Sequence, residues 1–165
     1  MELQAKRALA RLLEAHEDLK VAKLLSRKAQ SRSLFHSQQG VEKALKACLG
    51  KVIIGDIKLH PVIKLINEKI IPTLPPQLQE QFKMLEDDAF LVERRWIDTR
   101  YEEIGAEGKI LTPVFRFGKT DARSGIKSAE VIIFWATKTV NELFMLQLPE
   151  SYQKIRKIAE KELNT

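Results

Sequence analysis

The chain has 165 residues, of which 44% are hydrophobic and one is a cysteine, Cys48. That length predicts one domain with a hydrophobic core of its own, and a single cysteine excludes an intrachain disulfide. The 28 basic and 22 acidic side chains give a net charge of +6 and an isoelectric point near 9.4, which is typical of a protein that binds polyanions or of a solvated, mildly basic surface.

The first segment, from Glu2 to about Arg27, predicts an amphipathic helix with its charges on the side away from the core. Its acidic and basic residues interrupt every apolar run, which argues against a secretory signal, and no run in the chain approaches the ~20 apolar residues of a membrane-spanning helix. With the unpaired cysteine, these features favour a cytoplasmic protein. The apolar positions of this helix are Ala5, Leu9, Leu12, Leu19 and Ala22.

A polar break at 26–32 separates this helix from a second one. Ser31 or Ser33 can cap the second helix by accepting a hydrogen bond from a free backbone N–H of its first turn. The helix is predicted to run to about Leu49, where Gly50 suits its C-terminal end.

After a connection at 51–58, a third helix is predicted to begin near His60–Pro61 and to end before Pro72. A fourth helix is predicted from about Gln77 to Arg95, because apolar residues recur there with a helical period. These two helices carry the chain from the second helix to a long segment without a clear period.

Residues 96–119 contain three glycines and one proline and are predicted to form a long loop. Thr120 or Asp121 is then expected to cap the longest helix, which Pro149 ends and whose wide apolar stripe favours a central position. A short charged helix, 152–163, closes the chain. The sequence therefore predicts an all-α, antiparallel up-and-down bundle of four to five helices over 1–148, with essentially no sheet, and a short helical extension over 149–165.

The second helix has two distinct faces when it is placed on a 3.6-residue wheel. One face is an apolar stripe that is expected in the core and consists of Leu34, Val41, Leu45, Cys48 and Leu49. The other is a polar arc on the roughly opposite side, formed by His36, Gln39, Lys43 and Lys46. Gly40 and Ala47 border this arc and would let a backbone or a planar ligand approach closely.

The polar arc has three interpretations. Two cations, an amide and an imidazole on one face suit a phosphate together with a base edge, so the arc can be one wall of a nucleotide or RNA site. A solvated lysine face would show the same residues. In the third interpretation the arc is a homodimer face, on which His36 and Gln39 hydrogen-bond across a two-fold axis.

Several segments resemble the HEPN domain family, named for higher eukaryotes and prokaryotes nucleotide-binding. AHEDLKVAKLL (15–25) resembles the A-x-x-D-L-x-x-A helix of the family, and SLFHSQQGVEKALKACL (33–49) resembles its F-H-x-Q-Q-x-x-E-K-A-L-K-A helix. His60, WIDTRY (96–101) and TDARSGIKSAEVI (120–132) match its later motifs in the same order. The chain departs from the family pattern at Glu102, where a proline is usual, in a long 102–118 segment, and in the tail after Pro149.

The resemblance implies a protein that binds a nucleotide or RNA, often as the partner of a minimal nucleotidyltransferase in a toxin–antitoxin-like pair. We predict a site with the polar arc as one wall. His60 and the pair Arg100–Tyr101 would close it, with Arg100 on phosphate and Tyr101 stacking on a base. A salt bridge from Arg100 to Glu93 or Asp98, and a packing role for Tyr101, are the alternatives.

The sequence favours a protein without catalytic activity. Many HEPN proteins are metal-independent RNases with an R-x(4–6)-H motif on the last core helix, and here Arg123 has no histidine at that spacing. Arg11 and His16 have the spacing, but on the first helix, where we interpret the match as chance. The three histidines lie on three separate helices, so no metal site is expected, and no cofactor is predicted.

Two other functions stay open. An RNase toxin with an atypical active site could bring Arg123 together with His60 or His36. A structural module could instead form a dimer without a ligand. We predict a homodimer in any case, because the longest helix is apolar over more than half of its circumference, at Ile126, Ile132, Ile133, Phe134 and Trp135.

Overall fold

The computed structural model describes residues 1–53, 62–95 and 98–164, apart from the side chains of Leu91 and Arg94. Within these residues the chain forms seven α-helices, two short 3₁₀ helices and one two-stranded sheet. In chain order the elements are α1 (Leu3–Leu25), α2 (Gln30–Leu49), α3 (Val62–Lys69), a 3₁₀ helix (Ile71–Thr73), α4 (Pro76–Arg94), β1 (Glu103–Ile104), a 3₁₀ helix (Ala106–Gly108), β2 (Ile110–Leu111), α5 (Pro113–Arg116), α6 (Lys119–Phe144) and α7 (Tyr152–Leu163).

Neighbouring long helices of the bundle run in opposite directions. Near the α1–α2 turn, the Ser33 hydroxyl donates to the Ala22 carbonyl at 2.7 Å. At the far end of the same pair, the Arg11 guanidinium donates to the Lys46 carbonyl at 3.0 Å. Arg95, which follows α4, lies 3.4 Å from a carboxylate in the first turn of α6, so these two helices are also antiparallel. The predicted all-α, up-and-down bundle is confirmed.

The central helix is α2, which contacts α1, α3, α4, α5 and α6, whereas the sequence pattern favoured α6. Two glycines explain how closely its neighbours approach. A Cβ added to Gly40 would lie 3.0 Å from the Ala15 carbonyl oxygen, and one added to Gly125 would lie 2.5 Å from a methyl group of Leu34. The close approach expected at Gly40 is therefore made by the backbone of α1.

The 96–119 segment, which was predicted to be a loop, contains a small hairpin. Strands β1 and β2 pair antiparallel with Glu103 opposite Leu111 and Ile104 opposite Ile110. Glu107 and Gly108 have positive φ values of 62° and 72° and reverse the chain between them. The prediction of essentially no sheet misses this pair, because strands of two residues leave no alternating pattern to detect.

Three predicted helix ends need correction. Ser31 and Ser33 do not cap α2, because both lie inside the helix and the Ser33 hydroxyl bonds across to α1. The predicted cap residue Asp121 does act at the start of α6, where its carboxylate accepts a hydrogen bond from the Gly118 N–H at 3.0 Å, but from the third helical position. α6 ends at Phe144, well before Pro149. The predicted start of the third helix at His60–Pro61 lies outside the described residues.

One hydrophobic core connects the bundle to the C-terminal helix. All apolar positions predicted for the cores of α1 and α2 are buried, and Ile155 and Ala159 of α7 belong to the same core cluster. A boundary after residue 148 stays a prediction. Among the described residues, no helix is both long enough and apolar enough to cross a membrane.

Candidate functional site

Asp18 is a buried carboxylate on the side of α1 that faces α2. It is 9% exposed and interrupts the apolar stripe of α1 just before Leu19. One of its oxygens lies 2.8 Å from Nδ1 of His36, and the other lies 2.6 Å from Nζ of Lys43. Asp18 thus bridges two of the four residues in the polar arc.

The geometry of α2 explains this bridge, because residues seven positions apart lie on the same face of a helix. Glu14, one turn before Asp18, brings a second carboxylate to 3.4 Å from Lys43. Burial by itself lowers the pKa of Lys43, but the hydrogen bonds and charges of Asp18 and Glu14 outweigh it, so the pKa lies above its usual value. Lys43 is held as a cation beside two carboxylates.

The other two residues of the arc belong to a second polar chain along α2. The Gln39 amide donates to the side-chain oxygen of Gln38 at 2.7 Å, and the Gln38 amide donates to Glu42 at 3.0 Å. Glu42 also forms a 2.7 Å ion pair with Lys46, and both side chains are less than a fifth exposed. The predicted wall therefore divides into a His36–Lys43 group on Asp18 and a Gln39–Lys46 group on Glu42.

Glu93 is a buried acid. The sequence suggested it only as a possible salt-bridge partner of Arg100. Its carboxylate is 2% exposed and accepts hydrogen bonds from the backbone N–H groups of Val62 and Ile63, at 2.8 and 2.9 Å. Burial raises the pKa of Glu93 to about 7, although these two hydrogen bonds lower it; the charge of Glu42 adds to the rise and that of Lys46 opposes it. Glu93 therefore provides acceptors for two backbone N–H groups at the beginning of α3.

Arg100 contacts α2 at Phe35, the residue before His36. Its guanidinium carbon lies 5.0 Å from the centre of the Phe35 ring, which in turn stands edge-on to the His36 ring at 5.2 Å. Tyr101 is 58% exposed, so a packing role is not what the structure shows. The carboxylates proposed as salt-bridge partners are engaged elsewhere, Glu93 on α3 and Asp98 with an arginine of α5 at 3.5 Å.

The structure thus brings His36 and Lys43 together on Asp18, and it places Arg100 against Phe35, the residue before His36, with Tyr101 following Arg100 in the chain. It turns Lys46 towards Glu42 instead. His60, the remaining predicted site residue, lies outside the described part of the chain.

The two residues that have the R-x(4)-H spacing on α1 lie apart. Arg11 bonds to the end of α2, whereas His16 packs beside Tyr152 of α7, so the R-x(4)-H spacing on α1 does not form one site. Arg123 is exposed on α6. Cys48 is fully buried, and burial raises the pKa of its thiol to about 12, which makes it a core residue rather than a nucleophile.

The sequence model of the HEPN domain matches residues 8–140, which is most of the chain. The chain belongs to the HEPN domain family. A Methanocaldococcus jannaschii protein named "Putative toxin MJ1304" is 33% identical to this HEPN chain over 122 residues, which cover 72% of the chain and 78% of that protein.

Two solved structures share the fold. The crystal structure of ST0689, an archaeal HEPN homologue, superposes with a TM-score of 0.58 at 23% identity and covers 85% of this chain and 99% of its own. The crystal structure of TT1696 from Thermus thermophilus gives a TM-score of 0.57 at 21% identity, with coverage of 81% and 98%. At these identities the two structures support the HEPN fold alone.

Two buried acids, Asp18 and Glu93, were not among the predicted site residues, and only one of them has a signal in the sequence. Asp18 is the aspartate of the A-x-x-D-L motif, and a charged residue on an apolar stripe indicates a partner on the neighbouring helix. Glu93 gave no comparable signal, because its partners are backbone groups thirty residues earlier in the chain.

Proposed function

We propose that this HEPN protein is the RNA- or nucleotide-binding component of a toxin–antitoxin-like pair, and that its ligand meets the side of α2 that carries His36. The name of the M. jannaschii relative supports a toxin-like role. The observation that supports this location is the Asp18 bridge, which holds His36 in one orientation beside Phe35, whose ring also contacts Arg100.

Each group on this face has a distinct task in the proposed complex. Asp18 engages Nδ1 of His36, which leaves Nε2 to bond a base edge or a ribose hydroxyl. Arg100 supplies a cation for a phosphate, and the exposed Tyr101 ring supplies a stacking surface for a base. His60 stays part of the proposed site as a prediction from the family resemblance.

The lysines of the polar arc have a modified role in this proposal. A phosphate that bound Lys43 would have to compete with Asp18 and Glu14, and one that bound Lys46 would have to compete with Glu42. We therefore propose that Lys43 mainly fixes Asp18, and hence His36. The phosphate contact of Arg100 is kept as the sequence predicts it. Gln39 remains a candidate for a base contact at the edge of this face.

A metal-independent RNase is the second candidate function, and the Asp18–His36 pair favours it. A carboxylate on Nδ1 orients a histidine so that Nε2 can accept the proton of a ribose 2′-hydroxyl while its oxygen bonds to the phosphorus and the 5′-oxygen leaves. An arginine then stabilises the negative charge on the non-bridging phosphoryl oxygens. In this structure Arg100, rather than Arg123, is the arginine that shares an aromatic neighbour with His36. We rank this function second because the family's R-x(4–6)-H motif is absent from α6.

Two partners belong to the proposal. One is a minimal nucleotidyltransferase, which the family resemblance implies. The other is a second copy of this chain, because Val131 of α6 is 37% exposed and Ile126, Phe134 and Trp135 are only partly buried. Light scattering on the purified protein should give the mass of a dimer at micromolar concentration, and a monomer would count against the homodimer.

Binding is tested with a fluorescein-labelled, single-stranded RNA of about eight nucleotides and fluorescence anisotropy. We expect His36→Ala, Arg100→Ala and Tyr101→Ala each to weaken binding roughly tenfold, as a lost charge-assisted bond or stacked base would. Lys83→Ala, an exposed charge change on α4, is the matched control. Equal affinity in all four variants and the wild type would refute the proposed location.

Two variants, His36→Ala and Asp18→Asn, separate binding from cleavage. RNA that stays intact for hours in the presence of EDTA supports the non-catalytic function. If the wild type cleaves the RNA, His36→Ala abolishes this cleavage and Asp18→Asn retains only a small fraction of the cleavage rate, the RNase function is established instead. Cleavage that survives both substitutions would exclude this face as the active site.

A further inference from the structure

A groove of about 630 Å³ lies between α1 and α7, on the side of α1 that faces away from the Asp18 bridge. Its apolar surface consists of Leu19, the 69% exposed Leu24, and the rings of His16 and Tyr152, whose centroids are 6.2 Å apart. Small-molecule sites in proteins occupy roughly 300–1,000 Å³, so the groove has the size of such a site.

The charged residues that line the groove all have one sign. Among the described lining residues, three are cations and none is acidic: Lys20, Lys23 and Arg156. Each cation forms a pair with a glutamate outside the lining, at 3.5, 2.6 and 2.9 Å, but the cations are 51–55% exposed. Exposed pairs of this kind are weak and exchange readily with another anion.

Two polar atoms that belong to residues lining the groove have unused hydrogen-bonding capacity. Nε2 of His16 and the hydroxyl of Tyr152 are both buried without a hydrogen-bond partner. Buried polar atoms are almost always paired in folded proteins, because an unpaired one loses its bonds to water without replacement. Burial, with the charge of Lys23, lowers the pKa of His16, so the ring is neutral near pH 7 and can serve as either donor or acceptor.

We propose that the α1–α7 groove is a binding site for a small organic anion that carries a flat ring, with the size of a mononucleotide. The ring would lie against Leu19 and Leu24, and a turn of the His16 or Tyr152 side chain would bring its unpaired polar atom to the ligand. The anionic group would bond to the rim cations. This site is separate from the His36 face of α2 and does not depend on the function proposed for that face.

The second wall of the groove comes from outside the part of the chain that matches the family. The HEPN match ends at residue 140, whereas Tyr152, Gln153 and Arg156 belong to α7. The proposed ligand site is therefore a feature that the C-terminal helix adds to the HEPN bundle.

Isothermal titration of the full chain with AMP tests the proposal, with adenosine and inorganic phosphate as matched probes. We expect AMP to bind at least tenfold more tightly than either probe, because only AMP uses the apolar floor and the cationic rim together. Equal affinity for phosphate and AMP would show that the groove is only a non-specific basic patch, and this result would overturn the proposal. Failure of AMP to bind at millimolar concentration would overturn it as well.

Variants locate the binding. Lys20→Ala, Arg156→Ala and Tyr152→Phe should each weaken AMP binding roughly three- to tenfold. The control Lys157→Ala, an exposed charge change on the same helix, should not. If the three groove variants bind AMP as tightly as the wild type does, the groove proposal is wrong and AMP binds elsewhere on the protein.

Discussion

Replacement of Asp18 by asparagine tests whether the polar arc of α2 is part of the folded framework or a solvated face. Asparagine has the same shape as aspartate, but it is uncharged and carries one NH₂ group in place of an acceptor oxygen. Lys43 can only donate, so the amide oxygen must face Lys43 and the NH₂ group faces Nδ1 of His36, which can accept only if the ring changes its tautomer. The substitution therefore removes the ion pair with Lys43 and the bond that a carboxylate makes to His36.

The expected cost follows from the burial of the three side chains. A hydrogen bond to a charged group contributes roughly 1.5–3 kcal/mol, and the loss of one partner of a fully buried ion pair costs roughly 3–5 kcal/mol. Here the side chains of His36 and Lys43 are 27% and 33% exposed, so water replaces part of what is lost. We expect a decrease of about 2–3 kcal/mol in the free energy of unfolding, between the values for exposed and buried pairs.

Urea unfolding followed by circular dichroism measures this decrease. With a slope of about 2 kcal/mol per molar urea, the midpoint should fall by about 1–1.5 M. Glu14→Gln is the control, because Glu14 is 64% exposed and lies 3.4 Å from Lys43, and its loss should cost less than about 0.5 kcal/mol. An Asp18→Asn midpoint within about 0.25 M of the wild type would refute the bridge as a stabilising contact.

Three further predictions concern other buried groups. Because the pKa of Glu93 is raised from 4.5 to about 7 in the folded state, its contribution to stability is present below pH 4.5 and is lost as the pH rises through 7. The difference in unfolding free energy between wild type and Glu93→Gln should accordingly fall by about 2–3 kcal/mol from pH 5 to pH 8, and a flat difference would contradict it. Gly40→Ala should lower stability by about 1–2 kcal/mol in urea unfolding, because the added methyl group meets the backbone of α1; a stabilised variant would show that α1 can move away. Cys48, fully buried and with its thiol pKa raised to about 12, should react with a thiol reagent only as fast as the protein unfolds, and rapid labelling of the native chain would refute this.

Helix periodicity predicted the bundle well because each long helix buries a continuous stripe. The stripe of α2 from Leu34 to Leu49 is buried throughout, as the wheel indicated. Helix ends were harder, because a serine hydroxyl bonds to any carbonyl within reach. Ser33 finds the Ala22 carbonyl on another helix, and no pattern along α2 alone could show that choice.

The candidate site shows the same limit more sharply. A helical wheel shows which side chains of one helix share a face, but it does not show what the neighbouring helix places opposite them. The helical wheel correctly predicted that His36 and Lys43 share a face. It did not show that Asp18 of α1 lies between them, or that Glu42 of α2 pairs with Lys46. An arc that resembles a phosphate-binding surface in sequence is, in the fold, a set of side chains already bonded to carboxylates or to an amide.

The α2 arc and the α1–α7 groove differ in how much exposed positive charge they offer to a ligand. The lysines of the α2 arc are compensated within the site by partly buried carboxylates, so a ligand there meets hydrogen-bonding and stacking groups more than net positive charge. The cations of the α1–α7 groove are half exposed, and their glutamate partners lie outside its lining. Long-range attraction between exposed charges is screened by salt, whereas short bonds between partly buried groups are screened much less. A small anion in the proposed groove site should therefore bind more weakly as salt is added.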